Sequence, residues 1–341
     1  LVLGVKGKLT ANNVTIVNGE ASIVDKNHVL CGDETYECDN LLLCTGSETF
    51  IPPIPGIDTV PYWTHRDALD NKELPKSLVV IGGGVIGMEF ASFFNSLGVE
   101  VTVIEMLDEI LGGMDKELSA MLRAEYAKRG IKFMLNTKVV SLDGSAGENG
   151  ETQVRVNYEN AEGTGFSVAE KLLMSVGRRP VTKGFGLENL NPEKTERGNI
   201  RVDGQMRTSV PGVYACGDLT GFSLLAHTAV REAEAAVHAV LGKKDCMSYR
   251  AIPGVVYTNP EIAGVGDTEE ALQKKGIPYR TVKLPMAYSG RFVAENEGVN
   301  GMCKLLLAED DTVLGAHVLG NPASEIITLA GMAVELKLTA A

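Results

Sequence analysis

Three glycines and one acid carry the first chemical signal in this chain of 341 residues. The run Leu78-Val79-Val80-Ile81 leads into Gly82-Gly83-Gly84-Val85-Ile86-Gly87, which has the spacing G-x-G-x-x-G. A helical pattern follows, and a second apolar run from Val99 to Ile104 ends on Glu105, 18 residues beyond Gly87. That order of strand, glycine turn, helix, strand and acid is the setting in which the pattern binds a dinucleotide. Gly82 supplies the unusual backbone angles of a tight strand-to-helix turn. Gly84 lets a pyrophosphate approach the main chain, and Gly87 lets the helix pack closely on the strand. Ile86 lies inside the same pattern and belongs to the candidate set. The unpaired N–H groups of the first helical turn, with the helix dipole, favour phosphate charge there. A carboxylate at Glu105 can accept both ribose hydroxyls of NAD and repels a 2′-phosphate. No Arg follows in Met106-Leu107-Asp108, so NAD is favoured over NADP.

Such a turn must be held by a parallel sheet with helical crossovers. A second helix is expected from Asp115 to Arg129, stopped by Gly130, followed by a strand from Ile131 to Leu142. Gly144–Gly150 reads as a polar turn, Thr152–Tyr158 opens a β-meander, and Lys171–Val176 is a strand leading to Gly177-Arg178-Arg179-Pro180. Residues 1–50 read as short strands and turns, with Val14–Val17 and Ala21–Val24 on either side of Asn18-Gly19. Leu41–Cys44 is a buried-strand run, and Pro52-Pro53-Ile54-Pro55-Gly56 is an extended linker. Ile200–Asp203 is extended, and Val213–Cys216 is a strand that stops at Gly217-Asp218. The Ala-rich run Ala226–Leu241 is a helix ended by Gly242. From Arg250 onward strands are expected at Val255–Tyr257, Tyr279–Leu284, Met302–Leu307 and Thr312–Val318. Helices at Glu269–Lys275 and Ala323–Leu336 make this last part a separate α+β domain.

Composition narrows the class of function. A hydrophobic content of 44% supports substantial cores, and the length predicts two or three domains. No run approaches the ~18 apolar residues of a membrane span, and the N-terminal residues do not have the form of a signal peptide. The net charge of −12, from 32 basic and 44 acidic residues, disfavours nucleic acid and anionic membranes as partners. Cys31, Cys38, Cys44, Cys216, Cys246 and Cys303 show no C-x-x-C or metal-ligand spacing, so reduced thiols in a cytosolic-type protein are expected, with no metal site.

Further clusters line up in order: Thr45-Gly46-Ser47, Val176–Pro180, Thr208 through Gly217-Asp218, Leu224-Leu225-Ala226-His227, and Tyr257-Thr258-Asn259-Pro260-Glu261. Together with Gly82–Gly87 this set resembles the FAD-dependent pyridine nucleotide–disulfide oxidoreductases over essentially the whole chain. It resembles most the members that oxidise dihydrolipoyl groups on the lipoyl domains of 2-oxo acid dehydrogenase complexes. The resemblance implies an α/β fold, with a Rossmann-like NAD domain inserted in a partial FAD domain and followed by an α+β dimerisation domain. The implied boundaries are 1–75 for the partial FAD domain, 76–180 for the NAD domain, 181–249 for the return to the FAD domain, and 250–341 for an incomplete dimerisation domain. FAD and NAD are the implied cofactors. The implied FAD residues are Ala21, Thr45, Gly46, Ser47, Asp218, Leu224, Leu225, Ala226 and His227. Asp218 would accept hydroxyls of the ribityl chain, and the helix start at Leu225-Ala226-His227 would face the flavin. On the NAD side Glu89, Val139 and Gly177 join Gly82, Gly84, Ile86, Gly87 and Glu105, with Glu89 near the nicotinamide.

Three family features have no counterpart in this sequence: an earlier glycine fingerprint for FAD, a redox pair spaced C-x4-C, and a His-Pro catalytic segment. Cys31 and Cys38 are separated by six residues, where the family pair is separated by four, lie in a strand-and-turn region and are not expected to be the redox pair. His317 is expected to be a core or interface histidine of a dimerisation strand. A fragment lacking both catalytic ends of a longer enzyme is therefore expected, with poor FAD binding and no thiol–disulfide exchange by this chain alone. The parent is expected to be a homodimer of the bacterial cytoplasm or the mitochondrial matrix. Soluble transhydrogenase, mercuric reductase and glutathione reductase remain alternatives, though Glu105 argues against the NADP-using last. A non-catalytic dinucleotide-binding module remains open too.

Overall fold

The computed structural model describes all residues apart from 147–151, 297, 299 and 341. Helix α1 (Val2–Ala11) is followed by strands β1 (Ala21–Asp25), β2 (His28–Cys31), β3 (Glu34–Glu37), β4 (Leu41–Leu43) and β5 (Ser47–Thr49). Next come α2 (His65–Asp70), β6 (Ser77–Ile81), α3 (Val85–Ser96), β7 (Glu100–Ile104), α4 (Lys116–Lys128), β8 (Lys132–Met134) and β9 (Lys138–Ala146). Strands β10 (Thr152–Asn160), β11 (Gly163–Ala169), β12 (Lys171–Met174), β13 (Arg178–Pro180) and β14 (Val213–Ala215) lead to α5 (Ala226–Val240). The last group is β15 (Gly254–Val256), β16 (Ile262–Gly266), α6 (Glu269–Lys275), β17 (Arg280–Pro285), α7 (Gly290–Glu295), β18 (Met302–Leu307), β19 (Val313–Leu319) and α8 (Ala323–Glu335). The chain divides into two compact units, Leu1–Glu48 with Arg179–Ser248, and Thr49–Arg178 with Tyr249–Ala341.

In the second unit a parallel sheet runs in the order β12-β6-β7-β8, with Val80 opposite both Leu173 and Val103. The unbroken apolar character of β6 follows from burial on both faces. Leu78 and Val80 pack against Met88, Phe94, Leu118 and Leu122 of α3 and α4. Their alternates Val79 and Ile81 pack against Leu142, Val154 and Val156 of the antiparallel meander β11-β10-β9. Each such side chain contributes roughly 1.5–3 kcal/mol on burial, so a one-residue slip of β6 would exchange two complete sets of contacts.

The strand expected over Ile131–Leu142 is two strands. The chain leaves the parallel sheet at Asn136, whose φ is +50°, and the Thr137 N–H donates to the Glu105 carbonyl at 2.9 Å. The break falls at Asn136-Thr137-Lys138, three polar residues between two apolar runs, and only a residue tolerant of the left-handed region can make it cheaply. Gly144 lies within β9, and residues 147–150 of the expected polar turn fall outside the described residues. Helix α4 has Asp115 as N-cap, its carboxylate accepting from Leu118 N at 3.2 Å, and Arg129 as C-cap. The same unit holds an antiparallel sheet, β15-β16-β19-β18-β17, covered by α8 through Ala323, Ile327 and Val334. His317 of β19 is 2% exposed and lies opposite both Gly264 and Lys304, a core position in that sheet.

In the first unit β1, β2 and β3 form an antiparallel ladder, and β4 pairs in parallel with β14, Leu43 opposite Ala215. Ile23, Leu43, Leu187, Ile200, Val213, Ala215 and Leu219 form its core. The expectation of strands and turns throughout residues 1–50 fails at its start. Val2–Ala11 is helical and Val14–Val17 forms no strand. Helix α1 buries no side chain, so it leaves no 3.6-residue apolar period, and Gly4 and Gly7 further mask it.

Candidate functional site

The glycine turn sits at the C-terminal end of β6, where ligands bind in open parallel sheets. Gly82 has φ +101°, and a Cβ there would lie 2.6 Å from the Ser175 carbonyl oxygen. A Cβ on Gly87 would collide with the Gly82 carbonyl and come within 2.7 Å of Ser175 Oγ. Gly84, the N-cap of α3, differs: a Cβ there would meet nothing within 4 Å. Two of the three glycines are thus required by the protein's own packing. The third borders open space, which suits an approaching phosphate group. Ile86 is half-buried in the first turn of α3 beside the exposed Val85.

Glu105, immediately after β7, is held by main-chain donors on both oxygens. Gly83 N donates to Oε2 at 2.6 Å and Leu107 N donates to Oε1 at 2.8 Å. A carboxylate offers about four lone-pair sites, so two remain for hydroxyl groups. The acid is locked across the mouth of the glycine turn rather than free to swing, which cuts the ordering cost of binding a sugar.

Gly177 lies in the segment after β12 with φ +123°, and its carbonyl accepts from Phe50 N at 2.9 Å. Glu89, on the second turn of α3, accepts from the Tyr257 N–H at 2.8 Å and so has a fixed orientation. Val139, on β9, packs with the apolar cluster that includes Ile51, Ile54, Met134 and Tyr158. Sequence reasoning missed Ser175. Its hydroxyl lies 2.9 Å from the carbonyls of both Ile81 and Gly82, and its N–H donates to Ile81 O, fastening the glycine turn to β12. A lone serine after a strand carries no local signal; only the β6–β12 pairing reveals it.

The remaining candidates lie in the first unit, with Thr45, Gly46, Ser47 and Asp218 gathered just beyond the ends of β4 and β14. Thr45 Oγ1 donates to Val181 O at 2.7 Å, and Val181 N donates to Gly46 O at 3.0 Å. The Ser47 hydroxyl donates to the Asp218 carboxylate, joining two segments that sequence reasoning treated separately. Leu225 is the N-cap of α5 and supplies no side-chain cap, while Leu224, Ala226 and His227 are exposed at that end. Ala21 opens β1 and is exposed opposite Cys31. Glu232 was also missed. This fully buried carboxylate accepts from Gly217 N at 2.6 Å and holds the turn that carries Asp218. Its place inside an Ala-rich helix gives no hint of a partner 15 residues earlier.

Among the described residues no group of three or more His, Cys, Asp and Glu is placed to hold a metal ion, and no helix is long and apolar enough to cross a membrane.

Comparison with known proteins agrees with this architecture. Residues 1–233 match the pyridine nucleotide-disulphide oxidoreductase family, and residues 252–341 match the dimerisation domain of the same family. A dihydrolipoyl dehydrogenase of Geobacillus stearothermophilus is 38% identical over 99% of this chain and 71% of its own length. The mitochondrial dihydrolipoyl dehydrogenase of Homo sapiens is 38% identical over 97% of this chain, which spans 66% of that protein. Among solved structures, a HOCl-induced flavoprotein disulfide reductase of Escherichia coli superposes with a TM-score of 0.87 at 28% identity, over 99% of this chain and 78% of that one. With a glycine turn and locked acid in one unit, a serine-bound aspartate in the other, and family matches along nearly its whole length, the chain belongs to the pyridine nucleotide-disulphide oxidoreductases, a family of enzymes.

Proposed function

We propose that this chain is the dinucleotide-handling part of a dihydrolipoyl dehydrogenase, which passes electrons from dihydrolipoamide through a disulfide and FAD to NAD. The observation that carries the reading is Glu105, fixed by Gly83 N–H and Leu107 N–H at the edge of a glycine turn whose Gly84 faces open space. A fixed carboxylate at that point accepts ribose hydroxyls and disfavours a 2′-phosphate, so NAD is the dinucleotide. The names of the 38%-identical relatives support the substrate.

On this reading residues 76–180 form the NAD domain, and Gly82, Gly84, Ile86, Gly87, Glu105, Val139 and Gly177 line its site. Glu89, oriented by the Tyr257 N–H, stands toward the nicotinamide. Residues 1–75 and 181–249 hold FAD, with Asp218 oriented by Ser47 to accept hydroxyls and the start of α5 offering N–H groups to a developing negative charge. FAD, when bound, supplies the two-electron relay between a dithiol and NAD. No residue of this chain is assigned to the thiol half-reaction. Residues 250–341 form the surface of a homodimer, and lipoyl domains of a 2-oxo acid dehydrogenase complex present the dithiol. The relatives come from bacteria and mitochondria, which supports a bacterial cytoplasm or a mitochondrial matrix as its location.

The test is dihydrolipoamide-driven reduction of NAD and of NADP by the protein expressed from its full gene and purified with its flavin. NAD reduction at a rate far above that with NADP is expected. Activity only with mercuric ion or glutathione disulfide would assign it to another member of the family. Absence of dinucleotide binding would end the enzyme reading.

A further inference from the structure

We propose that Cys44 and Cys216 form a peroxide-oxidisable dithiol, converted to an intrachain disulfide that locks the C-terminal ends of β4 and β14 together. Leu43 and Ala215 are the last paired residues of these parallel strands, and the two cysteines are the next residue on each. Cys216 N donates to Leu43 O at 3.1 Å, so the strands are still adjacent there. Neighbouring strands lie about 5 Å apart, inside the ~4.4–6.8 Å separation of α-carbons that a disulfide spans. The two sulfurs are already 3.4 Å apart. The chain brings them together across a sequence separation of 172 residues.

The two thiols are not equivalent. Cys44 is exposed, whereas Cys216 is buried at 4% exposure. The hydrogen bond between them favours the Cys44 thiolate and holds the proton on Cys216, so Cys44 is pushed down and Cys216 is pushed up. Burial and the nearby Glu232 carboxylate add to the rise at Cys216. By contrast, burial pushes the thiols of Cys38 and Cys303 up, which makes them poorer nucleophiles at neutral pH.

The chemistry then runs in two steps. The Cys44 thiolate attacks one oxygen of hydrogen peroxide; the O–O bond breaks, giving the Cys44 sulfenic acid and hydroxide. The neutral sulfenic acid no longer holds the proton on Cys216 as the Cys44 thiolate did; Cys216 gives up that proton, its thiolate attacks the Cys44 sulfur, and the displaced hydroxide leaves with the proton as water. Overall two thiols are oxidised to one disulfide and one peroxide is reduced to two waters. Thr45-Gly46-Ser47 and Gly217-Asp218 leave directly from the bonded residues, so the disulfide would stiffen both segments. A consequent change in flavin affinity rests on the proposed FAD role of those segments; the disulfide itself does not.

The experiment treats the 341-residue chain with stoichiometric hydrogen peroxide, quenches with an alkylating reagent, and identifies cross-linked peptides by mass spectrometry after proteolysis. A dithiothreitol-reversible link between Cys44 and Cys216 is expected. It should persist when Cys31, Cys38, Cys246 and Cys303 are all changed to Ser, and be lost in Cys44→Ser and Cys216→Ser. The quadruple variant keeps both proposed partners, so the result does not depend on the single variants folding. Recovery of Cys44 as an unlinked sulfinic acid, of both cysteines as alkylated thiols, or of a disulfide between other cysteines in the intact chain would overturn the proposal. A confirmed link with unchanged flavin binding would leave the dithiol standing and count against the FAD role of the flanking segments.

Discussion

Lys304 of β18 reaches Asp115, the residue that caps α4, with Nζ 2.7 Å from Oδ2 and both side chains only 1% exposed. Glu117 at 2.9 Å and Glu269 complete the cluster. Burial alone would drive the ammonium to lose its proton. Hydrogen bonds to Asp115, Glu269 and Glu117 outweigh that cost, and the pKa of Lys304 is raised. One cation thus joins the sheet that matches the dimerisation domain to the helix that buttresses the dinucleotide sheet.

Replacing Lys304 with Met should therefore be costly. It leaves the buried Asp115 side chain without its cation, a situation worth about 3–5 kcal/mol. Urea unfolding followed by fluorescence of Trp63, the sole tryptophan, reports on this unit. The double variant with Asp115→Asn should recover part of the loss, because the orphaned charge is removed with its partner. A change under about 1 kcal/mol in the single variant would place the pair among ordinary surface ion pairs.

The same cluster sets a pH dependence. Burial pushes the carboxyls of Glu117 and Glu269 upward, yet the opposing bonds win and both are depressed: from Lys283 and Lys304 at Glu117, and from Lys304 and Thr281 at Glu269. A depressed carboxyl stabilises the fold above its unfolded value of about 4.3, and that stability is lost as pH falls through the folded value. Lys304, raised, stabilises below its unfolded value of about 10.4 and loses this as pH rises through the folded one. The contribution of the cluster should be flat from roughly pH 6 to 9 and should fall at both ends. In Lys304→Met the acid limb should be shallower. Parallel acid limbs for the two proteins, measured by thermal unfolding, would show that the cluster does not govern acid stability.

Gly84 and Gly87 separate binding from packing. Gly87→Ala drives a methyl into the Gly82 carbonyl and Ser175 Oγ, and overpacking of this kind costs about 1–3 kcal/mol. Gly84→Ala meets no protein atom, and its φ of −72° suits any residue, so stability should change by under about 0.5 kcal/mol. Both variants should bind NAD weakly, the second because its methyl occupies the approach to the main chain. Calorimetric titration beside thermal unfolding distinguishes the cases. Undiminished NAD binding by Gly84→Ala would remove the phosphate from that position.

The fingerprint was legible because its parts are local. Gly82, Gly84, Gly87 and Glu105 lie within one strand–helix–strand unit, and each has a residue type with few alternatives. The covered parallel sheet and helix α4 were legible for the same reason: burial on both faces leaves an unbroken apolar run, and Asp115 and Arg129 mark the helix ends. What sequence reasoning missed acts through distant partners. Ser175 meets Gly82 across 93 residues, and Cys44 meets Cys216 across 172. Neither type nor spacing announces such pairs. Helix α2 was overlooked despite a local signal, the reciprocal cap between Thr64 and Asp67.

Glu105 provides the sharpest test of cofactor choice. Glu105→Gln leaves one oxygen where two now accept from Gly83 N and Leu107 N, and it places an amide where a charge stood. A hydrogen bond to a charged group is worth about 1.5–3 kcal/mol, so NAD affinity should fall by roughly tenfold or more. Damage to the turn alone would weaken NAD and NADP by the same factor. Loss of the negative charge also relieves repulsion of the 2′-phosphate, so NADP should weaken less than NAD, or tighten. The quantity to measure is the ratio of the two dissociation constants in the wild type and the variant. If the ratio stays constant while both affinities fall, Glu105 only holds the glycine turn, and the preference for NAD must come from another residue.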